Sequence, residues 1–204
     1  MPELEDILNK SIPFLKKWGG ALILIPFMWV SAEQFWMALK WEISFSYRYT
    51  YPFFLSPFYF MTDNFLLIIH EAGHTFFRVF GSRFMIILGG TFLEIFLPFV
   101  IFFYGWWNRR TFVAQLGMLL TGFAWMDSSA YAADAMFRRL PLIGGLGTSA
   151  HDFGNMLRDL NILDSYMTVA WTFYAIGIIS YLLVIVMPFM ERKSYKTSNI
   201  ELKL

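Results

Sequence analysis

Cysteine is absent from this 204-residue chain. That excludes disulfides, thiolate–metal sites and cysteine nucleophiles, and leaves the compartment open. Charge is scarce: Asp, Glu, Lys and Arg make up 15% of the residues, less than a soluble domain of this length carries. The two signs nearly balance, with 16 basic residues against 15 acidic. The basic residues sit at the ends of apolar runs and form no patch that could track phosphates, so nucleic acid is not an expected partner. Histidine occurs three times. Internal repeats and low-complexity segments are missing.

Apolar and aromatic residues dominate instead, at 57% and 21% of the chain. The mean hydropathy is +0.51. Several apolar runs approach the ~20 residues that cross a bilayer as a helix. The expected fold class is all-α: a polytopic membrane helical bundle of five or six transmembrane helices, in one compact domain without a separate soluble one. The expected location is integral to a membrane, in particular the bacterial inner (cytoplasmic) membrane, with membrane lipid as a partner.

The chain divides by pattern into residues 1–17, 18–190 and 191–204. The opening "MPELEDILNK" lacks the basic start and small-residue cleavage site of a signal peptide. Leu4, Ile7, Leu8 and Ile12 recur at helical spacing opposite Glu3, Glu5, Asp6 and Lys10, which fits an interfacial helix or a polar tail. The first span is expected over 18–40, kinked at Pro26, with Glu33 turned to protein or water. The aromatic stretch 43–60, broken by Pro52 and Pro57, reads as interfacial or re-entrant. Further helices are expected over 62–80, ending near Gly81, and over 83–106, 111–137 and 165–190. A short helix over 150–162 is expected to be capped by Ser149 or Thr148. A polar tail follows. Lys16, Lys17, Arg192 and Lys193 favour both ends on the cytoplasmic side, provided that 44–60 makes a sixth crossing.

Against this apolar background stands "FLLIIHEAGHTFF", residues 65–77, with two of the three histidines. "HEAGH" fits the pattern His-Glu-x-x-His. Residues four apart stack on one helix face, so His70 and His74 can share a metal ion. Glu71 lies about 100° around the helix, placed to reach a metal-bound water instead of the metal. Zinc brings such a water towards neutral pKa, and a carboxylate can take its proton. The plainer reading is two buried histidines bonded to polar neighbours. Ionisable residues inside a membrane usually serve a function, and that favours the metal.

"HEAGH" within a hydrophobic helix resembles the intramembrane zinc metalloproteases of the site-2 protease group. In that family two histidines and a distant aspartate bind zinc, and the glutamate is the base. The resemblance implies Zn2+ as cofactor, His70 and His74 as ligands and Glu71 as catalytic base. The family's aspartate lies in a Leu-Asp-Gly context on a later helix. This chain has no Leu-Asp-Gly and no evident inserted PDZ domain.

A catalytic site needs a third protein ligand beside an open position. "SAHDFGNML" offers His151, the remaining histidine, and Asp152, which could ligate or orient a histidine from behind. The alternative is a surface histidine and an aspartate that stabilises a helix start. "WMDSSAYAADAMF" offers Asp127, Tyr131 and Asp134 on one helix face, with small residues between them. Tyr131 could donate to a developing oxyanion. The alternative there is a helix end with solvated aspartates. The order of preference for the third ligand is His151, then Asp134, then Asp152. The pattern uniting them puts His70, His74 and His151 on the metal, with Asp134 or Asp152 behind. Glu94 is expected to pair with Arg83 or Gln115 in preference to a histidine, and Gly89 and Gly90 to serve helix packing.

The leading functional expectation is a membrane metallohydrolase, a peptidase cutting a transmembrane substrate within or near the bilayer. The alternative is a non-catalytic accessory subunit of a larger membrane complex, with a structural or vestigial metal site. A metal transporter or sensor fits less well, since the other acids form no obvious ion path. A serine hydrolase fits least, because Ser149, His151 and Asp152 are too close in sequence to assume a triad's geometry.

Overall fold

The computed structural model describes residues 2–41, 51–140 and 147–190. Within them the chain forms six α-helices and no strand. These are α1 (Pro2–Trp41), α2 (Ser56–Phe77), α3 (Arg83–Trp107), α4 (Thr111–Ala133), α5 (Asp152–Asp159) and α6 (Tyr166–Val186). The expected tail 191–204, the basic pair within it and the stretch 42–50 lie outside the described residues.

Three stretches are long and apolar enough to cross a membrane: Lys17–Lys40, Arg83–Trp107 and Leu163–Phe189. They carry α1, α3 and α6. Helices α2 and α4, of 22 and 23 residues, carry more polar side chains than α3 or α6 and fall outside that class. α1 is one continuous helix across residue 17, where a separate interfacial segment was expected to end. At 1.5 Å per residue its 40 residues run about 60 Å, twice the ~30 Å hydrocarbon core. Pro26 in α1 and Pro98 in α3 lie within continuous helices.

Pro57 moves the start of α2 six residues ahead of the expected one. It occupies the first turn, where its missing N–H has no helical partner to lose. The latter part of the proline-broken aromatic segment therefore belongs to α2. Its other end agrees with the sequence: a short 3-10 turn, Arg78–Phe80, closes at Gly81, which adopts φ 65° and donates its N–H to the carbonyl of Arg78.

α4 is the central helix, packed on α1, α3 and α6 and buried on nearly all sides. Small residues make this possible. A Cβ on Gly122 of α4 would lie 3.1 Å from the carbonyl oxygen of Gly177 on α6, and one on Gly177 would lie 2.9 Å from that of Gly122. α2 and α3 meet more closely still at Gly73 and Gly89. Hydrogen bonds add to the packing. Ser31 and Tyr181 pair their hydroxyls at 2.9 Å between α1 and α6, and the Gln115 amide donates to the Val184 carbonyl at 3.2 Å. Outward positions such as Phe60, Met61, Ile68 and Phe76 on α2 are exposed and apolar, as a lipid-facing surface requires.

Candidate metal centre

His70 and His74 lie on the face of α2 that packs against α3. His70 is 7% exposed and His74 half-buried. Each ring is held through Nδ1 by a group from α3. The Nδ1 of His70 meets Glu94 Oε2 at 2.8 Å, and that of His74 meets the Ile86 carbonyl at 2.9 Å. A carbonyl only accepts, so His74 carries a proton on Nδ1, and in the neutral ring its Nε2 keeps a lone pair. An ionised Glu94 imposes the same arrangement on His70. Glu94 thus bonds a histidine, where pairing with Arg83 or Gln115 was expected.

Both free nitrogens point at one atom. Nε2 of His70 lies 3.1 Å, and Nε2 of His74 3.2 Å, from Oδ2 of Asp152, the first residue of α5. Two imidazole lone pairs and a carboxylate oxygen are all acceptors, and they repel unless positive charge sits among them. That charge is either a proton on each imidazole or a metal ion. Ligand atoms at 2.0–2.2 Å from a tetrahedral zinc are separated by roughly 3.3 Å, which matches these spacings. Gly90 on α3 keeps the adjoining space clear: a Cβ there would fall 2.7 Å from both Nε2 atoms. The exposed Glu71 brings a carboxylate oxygen within 4.8 Å of one ring nitrogen of His70 and one of His74. The residues present therefore fit a zinc ion held by His70, His74 and Asp152, with Glu71 beside it.

The other expected residues are linked to Asp152 and to its neighbour His151. The Asp152 N–H donates to the Tyr131 hydroxyl at 3.1 Å. His151, 1% exposed, does not join the three converging atoms. It is the N-cap of α5, a role expected of Ser149 or Thr148, and its Nδ1 accepts the Gly154 N–H at 3.1 Å. Its Nε2 faces Asp134 Oδ2 at 3.3 Å, an ion-pair distance without full hydrogen-bond alignment. Asp134 lies just beyond α4, which ends at Ala133 instead of continuing to 137, and its Oδ2 accepts the Leu140 N–H at 2.8 Å. The expected trio of His70, His74 and His151 is thus not brought together; Asp152, ranked last, is the residue at the two histidines.

Burial alone would raise the Asp152 carboxyl, but without a metal ion protonated His70 and His74 rings donate to it, outweigh burial and hold it below its ordinary range. Burial likewise opposes ionisation of Asp134, and His151 with the Arg139 and Leu140 N–H groups outweighs it, lowering that pKa too. The sequence carried a signal for Glu94, an acid inside an apolar run. It carried none for the Ile86 carbonyl, because any residue supplies one.

Comparison with protein-family models, with curated proteins and with solved structures finds no match to this chain.

Proposed function

We propose that this chain is a membrane-embedded zinc metallohydrolase, a peptidase acting within or near the bilayer. The observation that carries the reading is the convergence of two histidine Nε2 atoms and one carboxylate oxygen on a common point, with an exposed glutamate beside them. In this reading α2 and α4 also cross the bilayer, making five spans with their polar groups turned inward.

A bound zinc ion would act as a Lewis acid and bring a coordinated water towards neutral pKa. Glu71 would take the proton of the attacking water and pass it to the leaving amine. Its exposure suits a group that must meet both water and substrate. Tyr131 accepts the Asp152 N–H through its oxygen, so its own hydrogen is available to the oxyanion of the attacked carbonyl. Glu94 and the Ile86 carbonyl would hold the imidazoles in the ligating tautomer.

The test uses detergent-purified protein, its zinc content and cleavage of a transmembrane peptide. Wild type should bind one zinc and cleave. Glu71→Gln should keep the zinc and lose cleavage. Full activity in that variant would sink the mechanism, and zinc without any cleavage in wild type would favour the accessory-subunit reading.

A further inference from the structure

The third donor is the only one of the three outside α2, and it opens an eight-residue helix. So short a helix has little stability of its own, and something else must hold Asp152 in register with His70 and His74. The adjacent His151 does not reach the two histidines. It is nearly inaccessible; its Nδ1 accepts the Gly154 N–H, and its buried Nε2, which makes no aligned hydrogen bond, lies 3.3 Å from Asp134 Oδ2. With Nδ1 accepting, the neutral ring carries its proton on Nε2, a donor at ion-pair distance from a carboxylate. Asp134 is itself fixed at the end of α4 by the Leu140 N–H. The Tyr131 ring lies 4.4 Å, centroid to centroid, from that of His151, and its hydroxyl takes the Asp152 N–H.

We propose that the His151–Asp134 pair is a positioning device for the metal centre: it ties the start of α5 to the end of α4 and so sets Asp152 at the ion. The proposal rests on the reading of His70, His74 and Asp152 as metal ligands. It assigns His151 and Asp134 a part in zinc affinity without contact with zinc. The helix cap and the tie to Asp134 are separable functions of His151. Asparagine at 151 keeps a capping acceptor for the Gly154 N–H, since asparagine is among the strongest N-caps, but it is too short to reach Asp134.

The experiment measures zinc affinity by competition with a chromophoric chelator, for wild type, His151→Asn, Asp134→Asn and the double variant. Thermal unfolding of the metal-free proteins and the visible spectrum of cobalt-loaded samples accompany it. Expected are about 10- to 100-fold losses of affinity in each single variant, the range for residues that orient metal ligands. The double variant should be no weaker than the worse single one, and the cobalt spectrum should change while every metal-free variant stays folded at the assay pH. Should His151→Asn fail to fold, Asp134→Asn, which replaces one oxygen by nitrogen, carries the test by itself. Wild-type zinc binding with unchanged affinity in the single variants would overturn the proposal and leave the ligand assignment standing. Additive losses would overturn it too, since independent sites do not form one tie. A wild-type chain that binds no zinc would overturn the ligand assignment together with the proposal.

Discussion

Oδ2 of Asp152 lies 3.1 Å from Nε2 of His70, a contact that spans 82 residues of chain. Both atoms are acceptors when Glu94 is ionised and the His70 ring neutral, so the contact depends on what lies between them. Asp152→Ala should therefore remove a ligand and not merely a hydrogen bond. Its zinc affinity should fall by more than the ~100-fold upper range for residues that act behind a ligand. Equilibrium dialysis against buffered zinc would measure this, and a variant that retains wild-type affinity would remove Asp152 from the site.

Gly90→Ala tests the space at the two histidines. The added methyl would press on both Nε2 atoms at 2.7 Å, so zinc binding should be lost. Gly19 in α1 is the control, because a Cβ there meets nothing within 4 Å. Gly19→Ala should bind zinc normally and gain about 0.5–1 kcal/mol from helix propensity. Metal content and thermal unfolding of the two variants, side by side, separate a site effect from a general one.

Glu94 variants should grade the support of His70. Glu94→Gln keeps an acceptor for the Nδ1–H but loses the charge, and should weaken zinc about 10-fold. Glu94→Ala leaves that N–H buried without a partner and should weaken it nearer 100-fold. Equal affinities in wild type and Glu94→Ala would show that the 2.8 Å contact does not orient the ring for metal.

The Ser31–Tyr181 pair concerns stability alone. Ser31→Ala and Tyr181→Phe each remove one hydroxyl of a buried pair between α1 and α6. A double-mutant cycle on detergent-solubilised protein should give a coupling near 0.6 kcal/mol and below about 1.7 kcal/mol, the span for hydrogen bonds between membrane helices. Zinc affinity should not change.

Low pH should act on the tie at α5. The folded pKa of Asp134 is depressed, so its stabilisation is present above the unfolded value of about 3.9 and fades as pH falls through the folded value. Asp134→Asn should therefore flatten the acid limb of a stability-against-pH curve measured on metal-free protein. An acid limb as steep as that of wild type would show that Asp134 adds nothing to it.

The helical class and the apolar stretches in α1, α3 and α6 were legible because hydropathy is a local, additive property of a run. The pairing of His70 with His74 was legible for a similar reason: four residues on a helix fix a shared face. Asp152 was not, because its place depends on how α5 docks between α3 and α4, a tertiary matter. Sequence favoured His151 on chemical type, yet neighbouring residues at a helix start point in different directions, and only one of the two can face α2. The start of α2 was not legible, because a proline signals a break in a helical pattern, whereas in a first turn it is compatible with the helix.

The separation of the donors along the chain gives the centre a birth order. His70 and His74 are synthesised with α2, Glu94 follows 24 residues after His70, and Asp152 comes 82 residues after it. At about 5–20 residues per second, Asp152 emerges roughly 4–16 s after His70. During that interval two histidines already lie in a largely apolar helix, and α3 alone supplies their partners, through Glu94 and Ile86. A metal ion bound by all three donors would then mark a chain that has been made at least as far as α5.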